Sequence, residues 1–346
     1  MSDSNGASDA LLVLGAADVT AALDGREHAV VDAVRDAYLR HREGRTDLPH
    51  SVFLRFGDGR PDRIIALPAR IEDDAPVAGI KWIASFPGNV RREMARASAL
   101  LVLNSTETGR PTAVMESSII SAQRTAASAA LAARELHPLQ QETTLGLIGC
   151  GVINFEIARF VASLAPRLDT LVLFDLDTAR AQTFAARVTR ELPRPSAGLT
   201  CRVVERANDV FSGARLVSLA TIAATPHLHD LPWTPGHTVL HVSLRDLAAR
   251  LILEADNVAD DVDHVLRANT SLHLAEQQTG RRDFVRCTLA DVVAGAAPAR
   301  VDGRPVVFSP FGLGVLDLAV ARLVMAYAQT HRTGVVVPNF LPAFTG

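Results

Sequence analysis

The sequence predicts an α/β protein in which a doubly wound parallel sheet is inserted into an α+β domain. From Thr144 onwards, strand-like and helix-like segments alternate, as they do along a parallel sheet. Before that point, short apolar segments are separated by turn signals such as Pro87-Gly-Asn89, which indicates antiparallel strands. An apolar helix at 314–330 has no evident partner in the parallel region. We therefore expect one domain from residues 1–125 and 312–346, and an inserted domain at 126–311.

The elements of the first domain follow from the spacing of its apolar residues. Residues 19–42 are predicted to form one helix, because apolar residues recur at helical spacing from Val30 to Tyr38. Ser121 is predicted to cap an alanine-rich helix that ends near Leu136. Strand-like segments are found at 51–56, 63–67, 77–85, 97–104 and 111–115.

The inserted domain begins with a buried strand that runs directly into a Gly-x-Gly turn. Gly149 permits the tight turn, and Gly151 lets the backbone approach a pyrophosphate. The helix that begins at Val152 directs free N–H groups at the phosphates, and Asn154 takes the place of a third glycine. The pattern predicts a dinucleotide-binding Rossmann domain, with a purely structural turn as the alternative. Its strands are predicted at 144–149, 169–174, 200–204, 215–220, 237–243 and 305–308.

Asp175, at the end of the second parallel strand, indicates which dinucleotide is bound. A carboxylate there accepts hydrogen bonds from ribose hydroxyls but repels a 2′-phosphate. Arg180, a little further on, is interpreted as an exposed helix arginine. We therefore predict NAD(H) rather than NADP(H). The residues assigned to the cofactor site are Gly149, Gly151, Val152, Ile153, Asn154, Asp175, Thr125 and Thr221.

Composition narrows the class of protein. The 346 residues carry a net charge of −3 and contain no long basic block. They also contain no apolar run of the roughly 18 residues that a transmembrane helix needs. Neither nucleic acid nor a membrane is therefore expected as a partner. The three cysteines are widely spaced, which favours a reducing compartment and a cytoplasmic enzyme with a small-molecule substrate.

Three basic residues lie in segments of mainly apolar or small residues, where a charged side chain is unexpected. Lys81 lies within the apolar segment 77–85, so it is either an edge-strand lysine or a desolvated amine that acts on a substrate. Arg124 lies near the start of the alanine-rich helix, either as a surface residue or as a guanidinium that binds a carboxylate. Arg55 is a further charge within an apolar alternation.

Asp246 follows the fifth parallel strand, at the sheet edge where α/β proteins bind ligands. Its carboxylate either takes a proton from water or a substrate amine, or caps the next helix. Three nearby histidines, His241, His227 and His229, lack a further ligand at metal-binding spacing. We therefore expect no metal site.

Four sequence motifs occur in a fixed order along the chain, and their combination is specific. They are Gly79-Ile-Lys-Trp-Ile-Ala-Ser-Phe-Pro-Gly-Asn89, Arg124-Thr-Ala-Ala127, Gly149-Cys-Gly151 and Phe311-Gly-Leu-Gly-Val-Leu-Asp317. Together they resemble the ornithine cyclodeaminase/μ-crystallin family over nearly the whole chain. The resemblance implies a homodimer formed through the first domain, an inserted Rossmann domain, and a substrate bound in the cleft between them. It also implies that Lys81 contacts the substrate, that Arg124 and Arg55 hold carboxylates, and that Asp246 is catalytic.

Four further segments are similar to those of one branch of this family, namely Ser85-Phe-Pro-Gly-Asn89, Ala95-Arg-Ala-Ser98, Ser117-Ser-Ile-Ile-Ser121 and His241-Val-Ser-Leu-Arg-Asp-Leu247. Members of this branch are dehydrogenases that release 2,3-diaminopropionate from N-(2-amino-2-carboxyethyl)-L-glutamate in siderophore and antibiotic pathways. Cyclodeaminases have small residues before the catalytic aspartate, whereas this chain has Ser243-Leu-Arg245. Arg96 would supply an additional cation for a substrate with three carboxylates, unless it is a surface loop residue. The alternatives are a cyclodeaminase or ketimine reductase, and a crystallin-like cofactor-binding protein with little turnover.

Overall fold

The computed structural model describes residues 9–57, 59–192 and 199–342, which form two eight-stranded sheets flanked by helices. The strands are β1 (Leu11–Leu14), β2 (Thr46–Asp47), β3 (Val52–Arg55), β4 (Arg63–Ile71), β5 (Val77–Ser85), β6 (Ala97–Asn104), β7 (Pro111–Glu116), β8 (Thr144–Ile148), β9 (Thr170–Phe174), β10 (Thr200–Val203), β11 (Leu216–Leu219), β12 (Thr238–His241), β13 (Asp256–Ala259), β14 (Val285–Thr288), β15 (Val306–Ser309) and β16 (Val335–Val337). The helices are α1 (Ala16–Leu23), α2 (Glu27–Arg42), α3 (Ser118–Leu136), α4 (Val152–Leu164), α5 (Thr178–Glu191), α6 (Ala207–Gly213), α7 (Ala249–Glu254), α8 (Val262–Val265), α9 (Ser271–Thr279), α10 (Leu289–Val293) and α11 (Gly314–His331).

The chain divides into two compact units. The first takes its residues from Met1–Arg26, Arg40–Arg124 and Leu313–Gly346, and the second from Glu27–Leu39 and Thr125–Gly312. Most of α2 therefore groups with the second unit, whereas the sequence places it in the first domain. The reason is a set of side-chain contacts within the second unit. The Tyr38 hydroxyl is hydrogen-bonded to Ser128 Oγ at 2.7 Å, and Glu27 forms an ion pair with Arg159.

The first unit is built on one sheet with the strand order β16-β1-β7-β6-β5-β4-β2, and β3 also pairs with β4. Its strand pairs are antiparallel except for β1 with β7. Helix α11 packs against β4 and β5. Gly79 makes this close packing possible, because a side chain there would meet Val102 O at 2.3 Å and Leu318 Cδ2 at 3.2 Å. The face of β5 that carries odd-numbered residues thus lies towards α11.

The second unit contains a parallel sheet with the order β10-β9-β8-β11-β12-β15-β13-β14. The chain moves outward from β8 to β10 and then returns to β11, so the strand order reverses between β8 and β11. Ligands of doubly wound sheets bind at the carboxyl ends of the strands beside such a reversal. The predicted α/β class and the predicted Rossmann core are confirmed.

Two helix boundaries differ from the predictions. The predicted helix at 19–42 is two helices, because Gly25 adopts a φ of +68° and ends α1 before α2 begins. Helix α3 starts at Ser118 rather than at Ser121. The Glu116 carboxylate accepts hydrogen bonds from the backbone N–H groups of Ser118 (2.6 Å) and Ile119 (3.1 Å) and so caps the helix.

Five strands are absent from the predictions, namely β1, β2, β13, β14 and β16. These strands are short. In the two that belong to the second sheet, β13 and β14, polar residues interrupt the apolar pattern by which a strand is predicted. Strand β13 begins with Asp256 and Asn257, which are both fully buried although their side chains are polar. The Asn257 amide donates to three backbone carbonyls, which satisfies its buried N–H groups.

Three further properties concern the whole described region. No helix in residues 9–57, 59–192 and 199–342 combines the length and apolar character needed to cross a bilayer. The same residues contain no group of three or more potential metal-binding side chains. All three cysteines are free thiols. Burial, followed by the charge of Asp175, raises the pKa of Cys150 to about 12, so its sulfur is a packing group rather than a nucleophile.

Candidate active site

Lys81 lies inside the first unit rather than on a sheet edge. Strand β5 is flanked by β4 and β6, and the Lys81 side chain is 2% exposed. Its Nζ donates hydrogen bonds to Asp317 Oδ2 at 2.7 Å and to Ser121 Oγ at 3.1 Å. A buried ammonium requires such partners, since an uncompensated charge would be costly in the interior. The edge-strand interpretation of this lysine is therefore wrong.

Arg124 shares the same acid. Its Nε donates to Asp317 Oδ1 at 3.2 Å, so one carboxylate bridges a lysine and an arginine. The three groups, all buried, carry a net charge of one positive unit when ionised. The terminal nitrogens of Arg124 have no acidic partner within the described part of the chain. A cation that is only partly neutralised attracts a further anion, and a guanidinium binds a carboxylate with two parallel hydrogen bonds.

Burial changes the proton affinity of this cluster. It lowers the pKa of Lys81 to about 8, and the positive charge of Arg124 lowers it further, while Asp317 partly opposes both. The amine therefore exchanges its proton within reach of neutral pH, as an acid or base in an active site must.

Asp317 is the residue that the sequence analysis missed. It lies in the first turn of α11 and is fully buried, with apolar neighbours along the helix. The signal was present, since an aspartate within a buried apolar helix needs a cationic partner. The fourth family-like segment ends at this residue, but no role was assigned to it.

Arg55 and Arg96 lie further along the same sheet. Arg96 immediately precedes β6, and its Nη1 donates to Ser85 Oγ at 2.8 Å. Arg55 ends β3, and its guanidinium lies 5.1 Å from the centre of the Phe53 ring. Ser85 is four residues from Lys81 on one strand, which corresponds to about 13 Å. The two arginines therefore belong to the same face as Lys81 but to a different end of it.

The Gly-x-Gly turn of the second unit has the geometry of a phosphate site. Gly149 adopts a φ of +91°, and a side chain on it would meet Ala220 O at 2.6 Å. A side chain on Gly151, in contrast, would meet no atom within 4 Å, so open space lies before the start of α4. Val152, the first residue of α4, is 60% exposed, and Ile153 is half-buried. Free N–H groups at such a helix start suit a pyrophosphate.

Asn154 has a structural role in addition to its predicted cofactor contact. Its side chain is fully buried, and its amide donates to Ile148 O at 3.0 Å and to Gly149 O at 2.7 Å. Its Oδ1 accepts the hydroxyl of Ser218 at 2.7 Å. All of these contacts lie beneath the turn. The Asn154 side chain therefore holds the turn in shape, and a cofactor contact of this residue stays a prediction.

Asp175 stands at the end of β9, beside the turn. Its carboxylate accepts the backbone N–H of Cys150 at 2.8 Å and that of Asp177 at 3.0 Å. These bonds fix its orientation and leave acceptor capacity for two hydroxyl groups. Asp177 caps α5 by accepting the backbone N–H of Arg180 at 3.1 Å. The Arg180 side chain is exposed and lies 3.9 Å from Asp177, in agreement with its interpretation as a surface residue.

Asp246 is a buried anion rather than a helix cap. The next helix, α7, is capped by Ala248. The Asp246 carboxylate accepts the hydroxyls of Thr221 (2.5 Å) and Ser243, and His241 Nε2 lies 3.4 Å away. Burial alone would raise its pKa, but hydrogen bonds and charge from His241, with the two hydroxyls, hold the pKa at about 2. Asp246 is therefore ionised at every physiological pH.

The side chain of Thr221 is hydrogen-bonded to Asp246, whereas Thr125 lies in α3, next to Arg124. The Thr221 hydroxyl donates to Asp246 and accepts the backbone N–H of Ala223 at 3.1 Å. Thr221 thus supports the Asp246 carboxylate, and its predicted contact with the cofactor stays a prediction. Thr125 is half-buried in α3. Its assignment to the cofactor site stays a prediction.

The fold and these clusters define a class of protein, and comparison with known proteins names it. The model of the ornithine cyclodeaminase/mu-crystallin family matches residues 12–332, so the chain belongs to this family. The predicted family is thereby confirmed.

Individual relatives in this family are enzymes of amino-acid metabolism. N-((2S)-2-amino-2-carboxyethyl)-L-glutamate dehydrogenase of Staphylococcus aureus is 27% identical over 94% of this chain and 97% of its own length. The structure of Thermococcus litoralis Δ1-pyrroline-2-carboxylate reductase with NADH and L-proline has a TM-score of 0.85 at 22% identity, covering 94% and 99% of the two chains. An archaeal alanine dehydrogenase dimer with bound NAD has a TM-score of 0.82 at 22% identity, covering 95% and 99%.

Proposed function

We propose that this chain is an NAD-dependent dehydrogenase that cleaves N-(2-amino-2-carboxyethyl)-L-glutamate to 2,3-diaminopropionate and 2-oxoglutarate. The observation that carries the proposal is the buried Lys81–Asp317–Arg124 cluster, whose residual positive charge suits an amino-acid carboxylate. The Staphylococcus aureus relative, similar over nearly its whole length, supports this substrate. A role in siderophore or antibiotic biosynthesis follows from the product.

The cofactor proposal rests on the second unit. The glycine turn, the exposed start of α4 and Asp175 suit NAD, which supplies the hydride acceptor when bound. Asp175→Ser should narrow the preference for NAD over NADP, because it removes the charge that repels a 2′-phosphate. Equal kcat/KM for the two cofactors in the wild-type protein would contradict this assignment.

The remaining roles in the reaction are assigned to side chains of this protein. Arg124 and Lys81 hold a substrate carboxylate and orient the α-carbon that loses its hydride. The secondary amine becomes a ketimine, water adds to the same carbon, and the C–N bond breaks with the electron pair going to nitrogen. Asp246 is a permanent negative charge that orients and polarises this water, since its pKa of about 2 makes it a weak base.

The direct test is product analysis with the purified protein. We expect NADH to form when the tricarboxylate amine is added with NAD, together with equal amounts of 2-oxoglutarate and 2,3-diaminopropionate. Mass spectrometry identifies both products. Formation of ammonia and proline from ornithine, with no reaction of the amine, would instead establish a cyclodeaminase.

A cyclodeaminase or ketimine reductase is the second candidate. It is favoured by Asp246, which stands where cyclodeaminases keep their catalytic aspartate, and by the family to which the chain belongs. A protein with crystallin-like behaviour would bind NADH in either assay without turnover. Titration of NADH fluorescence separates that outcome from a failure to bind cofactor.

We also propose that the protein is a homodimer. On the sheet face opposite to Lys81, three large apolar residues lie in one row across neighbouring strands. They are Val52 (64% exposed), Trp82 (43%) and Leu100 (49%), linked in register through Ala66. An apolar row of this kind is typical of a subunit interface. The archaeal alanine dehydrogenase with the same fold is a dimer.

A further inference from the structure

Three arginines gather at one end of the Lys81 face of the first unit. Arg63 begins β4 and stands opposite Arg55 in β3 on one side and opposite Ser85 in β5 on the other. Arg96 reaches the same place from the start of β6, since its Nη1 donates to Ser85 Oγ at 2.8 Å. Side chains alternate along a strand, so Ser85 and Lys81 point to the same face.

Among the residues that the structure describes, these arginines have no acidic counter-ion. Within the described residues, no acidic side chain forms an ion pair with Arg55, Arg63 or Arg96. Arg70, on the same strand as Arg63, shows the contrast, because it pairs with Asp47 at 2.6 Å and also with Glu72.

Partial burial makes the missing counter-ions significant. Arg63 and Arg96 are both half-buried. Burial, followed by the charge of Arg55, lowers the pKa of Arg63, and burial followed by the charge of Arg63 lowers the pKa of Arg96. Desolvated like charges destabilise a protein unless an anion joins them. Such an arrangement is expected where a ligand supplies the negative charge.

We infer that Arg63 and Arg96 form a second carboxylate subsite, with Arg55 beside Arg63. The inference rests on the proposed function and specifies its substrate class: an extended amino acid with a carboxylate at its far end. The strand spacing between Lys81 and Ser85, about 13 Å, separates this subsite from the Lys81–Arg124 cluster.

The subsite also discriminates against other substrates of similar size. Ornithine and lysine end in an ammonium group, which three unpaired guanidinium groups repel. Alanine has no second charged end and would leave these arginines without a partner. Repulsion of the wrong substrate and attraction of the right one both contribute to specificity.

A binding experiment tests the subsite without relying on turnover. Calorimetry of the full-length protein, with and without NAD, measures the affinity for glutarate, a dicarboxylate, and for butyrate, a monocarboxylate of similar length. We expect glutarate to bind more tightly, and Arg63→Gln or Arg96→Gln to weaken glutarate about tenfold or more while leaving butyrate unchanged. Arg63→Lys should restore part of the loss. Arg70→Gln is the matched control, since it removes one charge from the same strand.

The outcomes separate the subsite from the proposed reaction. If Arg63→Gln and Arg96→Gln bind glutarate as the wild-type protein does, or if the wild-type protein does not prefer glutarate, the subsite is wrong. If the predicted losses occur but the tricarboxylate amine is not turned over, the subsite stands and the proposed reaction falls. If the amine is turned over and Arg63→Gln leaves its KM unchanged, the reaction stands and the subsite falls. Should Arg63→Gln not fold, Arg63→Lys and Arg96→Gln carry the same comparison.

Discussion

At the scale of single residues, each unit contains a charge that is buried together with its partners. Asp317 serves two cations, and Asp246 is surrounded by hydrogen-bond donors. The sequence alone could identify Lys81, Arg124 and Asp246 as unusual, because each interrupts or follows an apolar segment. It could not identify which acid faces the lysine, since Asp317 is distant in sequence and meets Lys81 only through the packing of α11 on β5.

The first prediction concerns Asp246. Asp246→Asn should bind NAD normally but lose about 100-fold or more in kcat, the scale expected when a preorganised electrostatic contact to the reacting groups is removed. Steady-state kinetics and NADH titration measure the two effects. Asp230→Asn is the control, since this exposed carboxylate of the second unit pairs only with a surface arginine. Turnover close to wild type in Asp246→Asn would reduce Asp246 to a structural anchor for the loop after β12.

The second prediction concerns pH. Lys81 is positively charged below its pKa of about 8 and neutral above it, so its attraction for a substrate carboxylate weakens as pH rises. We expect the KM for the amino-acid substrate to increase as pH passes through about 8. Lys81→Arg, which stays charged, should move this increase to higher pH. Asp246 should add no acidic limb near neutral pH, because it remains ionised down to about pH 2. A KM that is constant across pH 8 in the wild-type protein would contradict the role of Lys81.

At the scale of elements, a strong pattern of apolar residues was sufficient to predict a strand or helix, whereas a weak pattern was not. The predicted strand at 77–85 and the helix at 314–330 agree with β5 and α11, since apolar residues recur along most of each segment. The break between α1 and α2 depends on the backbone conformation of Gly25, which apolar spacing does not reveal. Strand β13 is polar at its start and is held by tertiary hydrogen bonds, so local sequence does not specify it.

The third prediction compares the two glycines of the turn. Gly149→Ala should lower the melting temperature, because the added methyl group meets Ala220 O and the φ of +91° disfavours alanine. Gly151→Ala should leave the melting temperature of the free protein nearly unchanged, since the methyl group enters open space, but should weaken NAD binding. Thermal unfolding with and without NAD measures both. Equal loss of stability in the two variants would show that the space before α4 is not reserved for a ligand.

At the scale of the whole molecule, the proposed function and the proposed dimer give the two faces of one sheet different purposes. Odd-numbered residues of β5 face α11 and include Lys81, whereas even-numbered residues include the exposed Trp82. A shift of register by one residue would exchange the two sets, so the pleat fixes chemistry and assembly together. The sequence predicts the assembly only through family resemblance, because the exposed row forms across three strands that are separate along the chain.

The fourth prediction concerns this assembly. Trp82→Glu combined with Leu100→Glu should convert a dimer into a monomer, because two buried carboxylates per subunit would stand against each other at the interface. Light scattering after gel filtration gives the molecular mass. Leu176→Glu is the control, since Leu176 is a highly exposed apolar residue of the second unit. A wild-type mass of one subunit, or a double variant that stays dimeric, would exclude the proposed interface.

The loop after β11 has a consequence for kinetics. Its Ala220 carbonyl lies against Gly149 in the phosphate turn, and the next residue, Thr221, donates its hydroxyl to Asp246. A dinucleotide seated on the turn restrains this loop and thereby the carboxylate that it supports. We therefore expect a compulsory order of addition, in which NAD enters first and leaves last. A dead-end analogue of the amino acid should then be uncompetitive against NAD, and a noncompetitive pattern would mean that the two ligands load independently.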